Sequence, residues 1–307
     1  MFNYMVKRIC SMIPILIVVA MIVFLFLHMI PGDPARIVAG PEASLTDVEM
    51  VRHDLGLDRP LQEQLVQFAV NSLHGDFGKS YQTHEPVDRI IRERVLPTLE
   101  LSVCSMIWAI VVGVFIGVIA ATRRGKWQDK LSMFTAVAGI SMPSFWLGLM
   151  LIEVFAVGLG WLPSGGNESW QSYILPSITL GSGVAAVIAR FTRTSLLETL
   201  REDYVRAARA KGAGEIRVIL LHALRNALLP VVTMIGLQFG FLLGGSIVIE
   251  SVFSWPGMGK LLIDAVNMRD YPIIQAEMLL FSFEFLLINL LVDLLYAKLD
   301  PQIRLDS

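Results

Sequence analysis

Charge is scarce in this 307-residue chain. Only 17% of its residues are Asp, Glu, Lys or Arg, while 54% are apolar and the mean hydropathy is +0.62. Soluble domains carry about a quarter charged residues, so an ordinary water-soluble globule is excluded. The net charge of −2 offers no field for nucleic acid. The two cysteines, Cys10 and Cys104, lie in separate apolar stretches and read as inert packing rather than a disulfide. The five histidines show no paired ligand spacing, and His84-Glu85 lacks the second histidine of a zinc-protease helix, so no metal site is expected. A phosphate-binding loop is missing too. Met258-Gly259-Lys260 superficially suggests one, but Ser254 stands where glycine is needed and Leu261 where Ser or Thr is needed. Strict apolar–polar alternation is also lacking, which disfavours a β-barrel.

What is present are long continuous apolar runs. Six spans fit them, at about 9–30, 99–121, 131–158, 174–191, 228–249 and 275–297. The class is therefore an all-α polytopic membrane protein. Lys7 and Arg8 before the first run resemble a signal peptide, but the run is too long for one and no small-residue cleavage site follows. It reads as a retained first span. Pro14, Pro143 and Pro176 are candidate kinks, with first-turn placement the plainer reading for Pro14 and Pro176. Lys and Arg number 16 on one side and 9 on the other, and 2 on that other side once the long 31–96 segment is left out. The positive-inside rule then puts both termini in the cytoplasm.

Residues 31–96 read as a small helical extracytoplasmic insertion. Thr46 to Glu49 has the pattern of a capping box, and Gly56 is placed to end that helix in a left-handed turn. A second helix is expected from Pro60 to Gly75, with Leu61, Leu65, Phe68 and Leu73 on its apolar side. A third is expected from Val87 to Val95, stopped before Pro97. In the outer loop 159–173, Trp161 and Trp170 read as interfacial anchors. Pro256-Gly257 signals a turn, followed by a short amphipathic helix with Leu261, Leu262 and Ala265 on its apolar face.

Glu153, Glu284 and Asp293 fall inside expected spans, where an ionised group costs a few kcal/mol or more unless paired or wetted. Asp293 reads as snorkelling. Glu153 and Glu284 are candidates for a polar pathway or an internal pair, and a proton-coupled secondary carrier would use such acids. Ser141 and Ser144 read as helix-packing residues, since no histidine is spaced as a general base. Gly236, Gly240 and Gly244 repeat at four along the fifth span and are candidates for packing a second subunit. Gly113 and Gly117 do the same in the second span, where intrachain packing is the alternative.

The longest basic interruption of the C-terminal half is Arg201–Pro230. Within it Tyr204, Ala207, Ala208 and Lys211 share a helical face, with Arg201, Arg206, Arg209 and Arg217 around it. After Gly212-Ala213-Gly214, the residues Ile216, Ile219, Leu220, Ala223, Leu224 and Ala227 read as an apolar stripe leading into the fifth span. The pattern fits a cytoplasmic helix-loop-helix on which a partner pushes. A basic loop that only fixes topology is the alternative.

ARAKG at 208–212 and LRNALLP at 224–230 resemble the EAA motif of binding-protein-dependent ABC-importer permeases, although Arg206-Ala207-Ala208 stands where its glutamate is usual. PGDPA at 31–35, GDFGKS at 75–80, WPGMGKLL at 255–262, MRDYPIIQAE at 268–277 and NLLVDLLYAKLDPQIR at 289–304 resemble the peptide/nickel branch of that family. PGDPARIVAGPEA and GLQFGFLLGGSIVIESVF are most similar to its glutathione-importing members, with dipeptide, oligopeptide and nickel permeases as the alternatives.

The resemblance implies a type I ABC-importer permease fold. It divides the chain into a first span (1–30), the insertion (31–96), a five-helix core (97–300) containing a coupling segment (196–230), and a cytoplasmic tail (301–307). It also implies that the chain has no catalytic site or cofactor of its own, with ATP and Mg bound by two ATPase subunits. The remaining implied partners are a second, similar permease, a periplasmic solute-binding protein and a peptide substrate in the bacterial inner membrane. ATPase coupling is implied for Tyr204, Arg206, Ala207, Ala208, Arg209, Gly212, Arg225, Asn226 and Pro230.

Overall fold

The computed structural model describes residues 2–29, 33–40 and 42–299. Pro31-Gly32 of the PGDPA stretch, the DPQIR end of the last matching stretch and the tail 301–307 lie outside them. In chain order the helices are α1 (Phe2–Met29), α2 (Pro34–Ala39), α3 (Leu45–Asp54), α4 (Leu61–Leu73), α5 (Val87–Thr122), α6 (Trp127–Ser141) and α7 (Ser144–Leu151). They continue with α8 (Ile174–Thr199), α9 (Asp203–Ala210), α10 (Glu215–Arg217), α11 (Leu224–Val252), α12 (Met258–Met268) and α13 (Tyr271–Leu299). Two stretches of wider, π-helical winding, Ile152–Gly158 and Val218–Ala223, follow α7 and α10. Among the described residues there is no strand, only an isolated bridge between Lys79 and Pro86.

Four described helices are long and apolar enough to cross a membrane, or five if the bent pair 127–141 and 144–158 counts as one. That pair covers the expected third span, and it is not straight. The helix breaks at Met142-Pro143 and turns by 104°. Proline removes an amide and clashes with the preceding turn, so the chain restarts there as α7. Pro176 sits in the first turn of α8, and Pro14 lies within α1. The sixth expected span coincides with α13, which carries Glu277, Glu284 and Asp293.

The chain forms two compact units, Met1–Thr98 with Pro256–Leu290, and Leu99–Trp255 with Leu291–Ser307. In the first, the insertion is not a body by itself. It shares a core with α1, α12 and the start of α13, built from Val23, Val87, Ile91, Ala265, Tyr271, Ile273, Ile274 and Ala276. Phe68 of α4 stacks on Phe24 of α1 with ring centroids 6.0 Å apart. Asp33 caps α2 by accepting from the Ala35 amide (3.1 Å) and also holds the Arg52 guanidinium at 2.7 Å, which ties α2 to α3. A loop at 80–82 is pinned to the α12–α13 junction by Asp270. Its buried carboxylate accepts from the Ser80 hydroxyl (2.5 Å) and from the amides of Tyr81 (3.1 Å) and Gln82 (3.4 Å).

Three expectations for this unit need correction. The capping box begins at Ser44, not Thr46. The Ser44 hydroxyl accepts from the Asp47 amide (3.2 Å), and the Asp47 carboxylate accepts from the Ser44 amide (3.1 Å). A serine with an acid three residues on offers the same chemistry two residues earlier, and the helix gains half a turn. The helix expected to stop before Pro97 runs on as the 36-residue α5. The amide that Pro97 lacks would have met the carbonyl of Glu93, an exposed residue whose carbonyl water can satisfy. On α4, Leu61 and Leu73 are exposed rather than inward. Gly56 and Gly75 do close α3 and α4 with positive φ, at +66° and +72°.

In the second unit α8 packs most extensively on α11 and then on α6. The α5–α8 contact is close because side chains are missing there. A Cβ at Gly113 would lie 2.7 Å from the Ala185 carbonyl oxygen, and one at Gly117 would lie 2.6 Å from Thr192 Cβ. These glycines therefore serve intrachain packing, the alternative noted for them. The core gathers Leu101, Leu175, Ile188, Leu242, Ile249 and Trp255. Trp255 is fully buried and meets Tyr173 edge-on at 4.6 Å.

Candidate functional site: the basic helix-turn-helix

The basic interruption folds as α9, a glycine turn, and a helical run from α10 through the π-helical turn into α11. Glu202 caps the start of α9 in extended backbone, and Asp203 places negative charge in its first turn. At the far end Gly212 adopts φ +82°. Its amide meets the Arg209 carbonyl (2.9 Å) and the Ala213 amide meets the Ala208 carbonyl (3.2 Å), which closes the helix by the paired 6→1 and 5→2 bonds of a Schellman motif. Only glycine adopts that backbone without a Cβ penalty. Gly214, by contrast, sits at φ −64° as the residue before α10.

A small core under the segment holds it in place. Val205 of α9, Val218, Ala223 and Ala227 pack with Leu196 of α8 and Ala121 of α5, all buried. The Ser195 hydroxyl donates to the Ala227 carbonyl (2.8 Å). Asn226 of α11 donates to the Tyr204 hydroxyl (2.8 Å), which donates in turn to the His222 carbonyl (3.3 Å). Across the glycine turn the Arg209 guanidinium grips Glu215 with two bonds, 2.7 and 3.1 Å. That pairing holds the Glu215 carboxyl below its usual range and the Arg209 guanidinium above its own.

Of the α9 face drawn from Tyr204, Ala207, Ala208 and Lys211, Ala207 and Lys211 point outward, while the Tyr204 hydroxyl turns to α11 and Ala208 packs on the small core. Ala208 is half-buried and the others are exposed. Arg206 is exposed and leans on Asp203 at 3.3 Å, while Arg225 and Pro230 are exposed on α11. The expected apolar stripe is not continuous. Ala223 and Ala227 are buried, but Ile216 and Leu220 are exposed. The π-helical turn adds a residue between Val218 and Ala223, so the buried positions follow 218, 223, 227 and 231 instead of a strict three-four repeat.

The other singled-out residues scatter. Glu153 is exposed in the π-helical stretch after α7, and Glu284 is half-buried in α13. Gly236 packs within the chain, where a Cβ would lie 2.7 Å from Val292, and Gly240 is buried. Gly244 has open space beside it.

Two features escaped the sequence reading. One is the ion pair in which Arg193 of α8 donates twice to the Asp129 carboxylate, at 2.7 and 2.9 Å. The other is the full burial of Glu250 and Glu277. A partner 64 residues away leaves no local signal, and both glutamates sit at the margins of the expected spans.

A family model described as "Binding-protein-dependent transport system inner membrane component" matches residues 113–305, and its N-terminal companion matches residues 1–102. Curated relatives called "Glutathione transport system permease protein GsiC", from Escherichia coli strain K12 and Shigella flexneri serotype 5b among others, are 59% identical over 304 residues, covering 99% of each chain. Solved structures share the fold. The inward-facing MetNI methionine ABC transporter matches with a TM-score of 0.59 and 22% identity, over 69% of this chain and 96% of that one. An amino acid ABC transporter matches with 0.54 and 16%, over 68% and 94%. This chain therefore belongs to the family of binding-protein-dependent transport system inner membrane components, the permeases of ABC importers.

Proposed function

We propose that this chain is one permease subunit of an ATP-driven importer of small peptides, with glutathione as the leading substrate. The observation that carries the substrate is the 59% identity to glutathione permeases along 99% of both chains. Dipeptides, oligopeptides and nickel are the alternatives within the branch. Under this reading the partners are a second permease, two ATPase subunits and a periplasmic binding protein, and both termini face the cytoplasm.

The coupling segment supports a mechanical reading. The outward face of α9 is small and basic, as suits seating in another protein's groove. Val205 and the Asn226–Tyr204 bond fix its inner face to α11. A push on α9 is thus delivered to α11 through a core and a hydrogen bond rather than through a slack loop. ATP-driven closure of the partner subunits would move this lever and alternate the access of the pathway. Nucleotide chemistry belongs to those subunits, and this chain contributes the motion. Reconstituted complex supplied with ATP and binding protein should accumulate labelled glutathione, and excess unlabelled glutathione should compete better than dipeptides or nickel. Stronger competition by a dipeptide would reassign the substrate.

A further inference from the structure

The first unit holds a half-open cavity of about 740 Å³ that the import reading does not use. Its walls come from α1, the insertion and the start of α13. The volume falls in the range of about 300–1,000 Å³ typical of small-ligand sites.

Phe24, Phe68 and Phe77 supply apolar wall, while Gln64, Gln67 and Asn71 of α4 supply amides. The charge on the lining is unbalanced. Arg52 is neutralised by Asp33, and Asp76, which accepts from the Gly78 amide (3.0 Å), is the one acidic side chain among the described residues of the lining, against the two cations Arg59 and Lys79. Arg59 and Lys79 make no ion pair among the described residues; the Arg59 guanidinium donates to Gln67 (3.1 Å). Two phenols complete the site. Tyr271 is 5% exposed, and among the described residues its buried hydroxyl has no hydrogen-bond partner. That oxygen is closed off from the open space, so Tyr271 gives the wall its ring and not a donor. Tyr81 packs edge-on against Tyr271 at 6.2 Å, and burial beside the Asp270 charge pushes its hydroxyl up to about 12, which keeps it a neutral donor.

We propose that this cavity binds a small peptide bearing carboxylates, with Arg59 and Lys79 meeting its carboxylates and the Tyr81 phenol and the α4 amides meeting its peptide groups. The proposal rests on the peptide-import reading and adds to it a second substrate station in the insertion.

The test uses the whole transporter complex in lipid nanodiscs without binding protein, with labelled reduced glutathione as the probe. Saturable binding is expected. The Arg59→Gln, Lys79→Gln double variant should weaken it at least tenfold and Tyr81→Phe several-fold, while the diethyl ester of glutathione, which lacks both carboxylates, should fail to compete. Elution as an intact complex checks assembly of each variant. Unchanged affinity in both variants would overturn the proposal. So would absence of binding in nanodiscs when the intact importer still takes up glutathione, a result that leaves the substrate reading standing. Absence of glutathione uptake by the wild-type importer would remove that reading and the assignment built on it.

Discussion

Asn226 donates a 2.8 Å hydrogen bond to the hydroxyl of Tyr204, joining the start of α11 to α9 of the basic helix-turn-helix. Breaking this link should loosen the lever without unfolding the membrane core. Tyr204→Phe and Asn226→Ala are each expected to cost about 0.5–1.5 kcal/mol locally. Substrate-stimulated ATPase activity of the assembled complex should fall several-fold, with normal membrane insertion. Full stimulation in both variants would refute the coupling role.

The glycine turn offers a sharper contrast. Gly212 stands at φ +82° and Gly214 at φ −64°, each with open space around it. Gly212→Ala should destabilise by about 1–2 kcal/mol through backbone strain alone. Gly212→Asn should be milder, and Gly214→Ala close to neutral. Melting temperatures of the purified complex would rank the three. Equal effects at 212 and 214 would contradict the turn.

Subunit packing can be separated from intrachain packing by volume. Gly117→Val would drive its side chain into Thr192 and the Ala189 carbonyl, and should cost at least 1–3 kcal/mol whether or not a partner is present. At Gly244 an added Cβ has nothing within 4 Å among the described residues. Gly244→Val should leave the isolated chain as stable as wild type and weaken co-purification of the second permease. If the Gly244 variant assembles normally, that position is not in the subunit interface.

The Arg209–Glu215 pair sets a pH dependence. The folded Glu215 carboxyl is held below its ordinary value of 4.5, so the stabilisation is fully present above that value and is lost as pH falls through the lower folded one. The pair is largely exposed, with Glu215 at 59%, so solvent screening limits the effect to well under ~1 kcal/mol. Glu215→Gln should flatten the stability profile as pH falls below 4.5, as read by thermal unfolding. An unchanged profile would show that the pair is not populated in solution.

Arg269 ends α12 in the left-handed region at φ 56° without being glycine. Arg269→Gly should relieve about 1 kcal/mol of backbone strain, visible as a raised melting temperature. A fall instead would mean that the arginine side chain contributes more than its backbone costs.

The features legible in the sequence share one physical basis, which is that they are local. Continuous apolar runs announce spanning helices because lipid leaves backbone groups no other partner. Gly56, Gly75 and Gly212 announced helix ends because a positive φ is a property of one residue. Pro143 announced a break for the same reason, although not the 104° bend that follows it. The face of Tyr204, Ala207, Ala208 and Lys211 could be read from helical spacing. Its inner counterpart could not, since one extra residue in a π-helical turn shifts the register and moves Ile216 and Leu220 to the surface.

By itself, then, the sequence determined a helical membrane protein, its basic helix-turn-helix segment and the turn that shapes it. Tertiary structure alone decided which side chains meet at long separation. Examples are Asp129 with Arg193, Asp270 with the 80–82 loop, and Gly236 against its own Val292 rather than a neighbour. Such pairings depend on how helices cross, and neither partner carries a local mark of the other. The cavity in the first unit belongs with them, because it exists only where α1, α4 and the start of α13 are brought together around a space their own side chains do not fill.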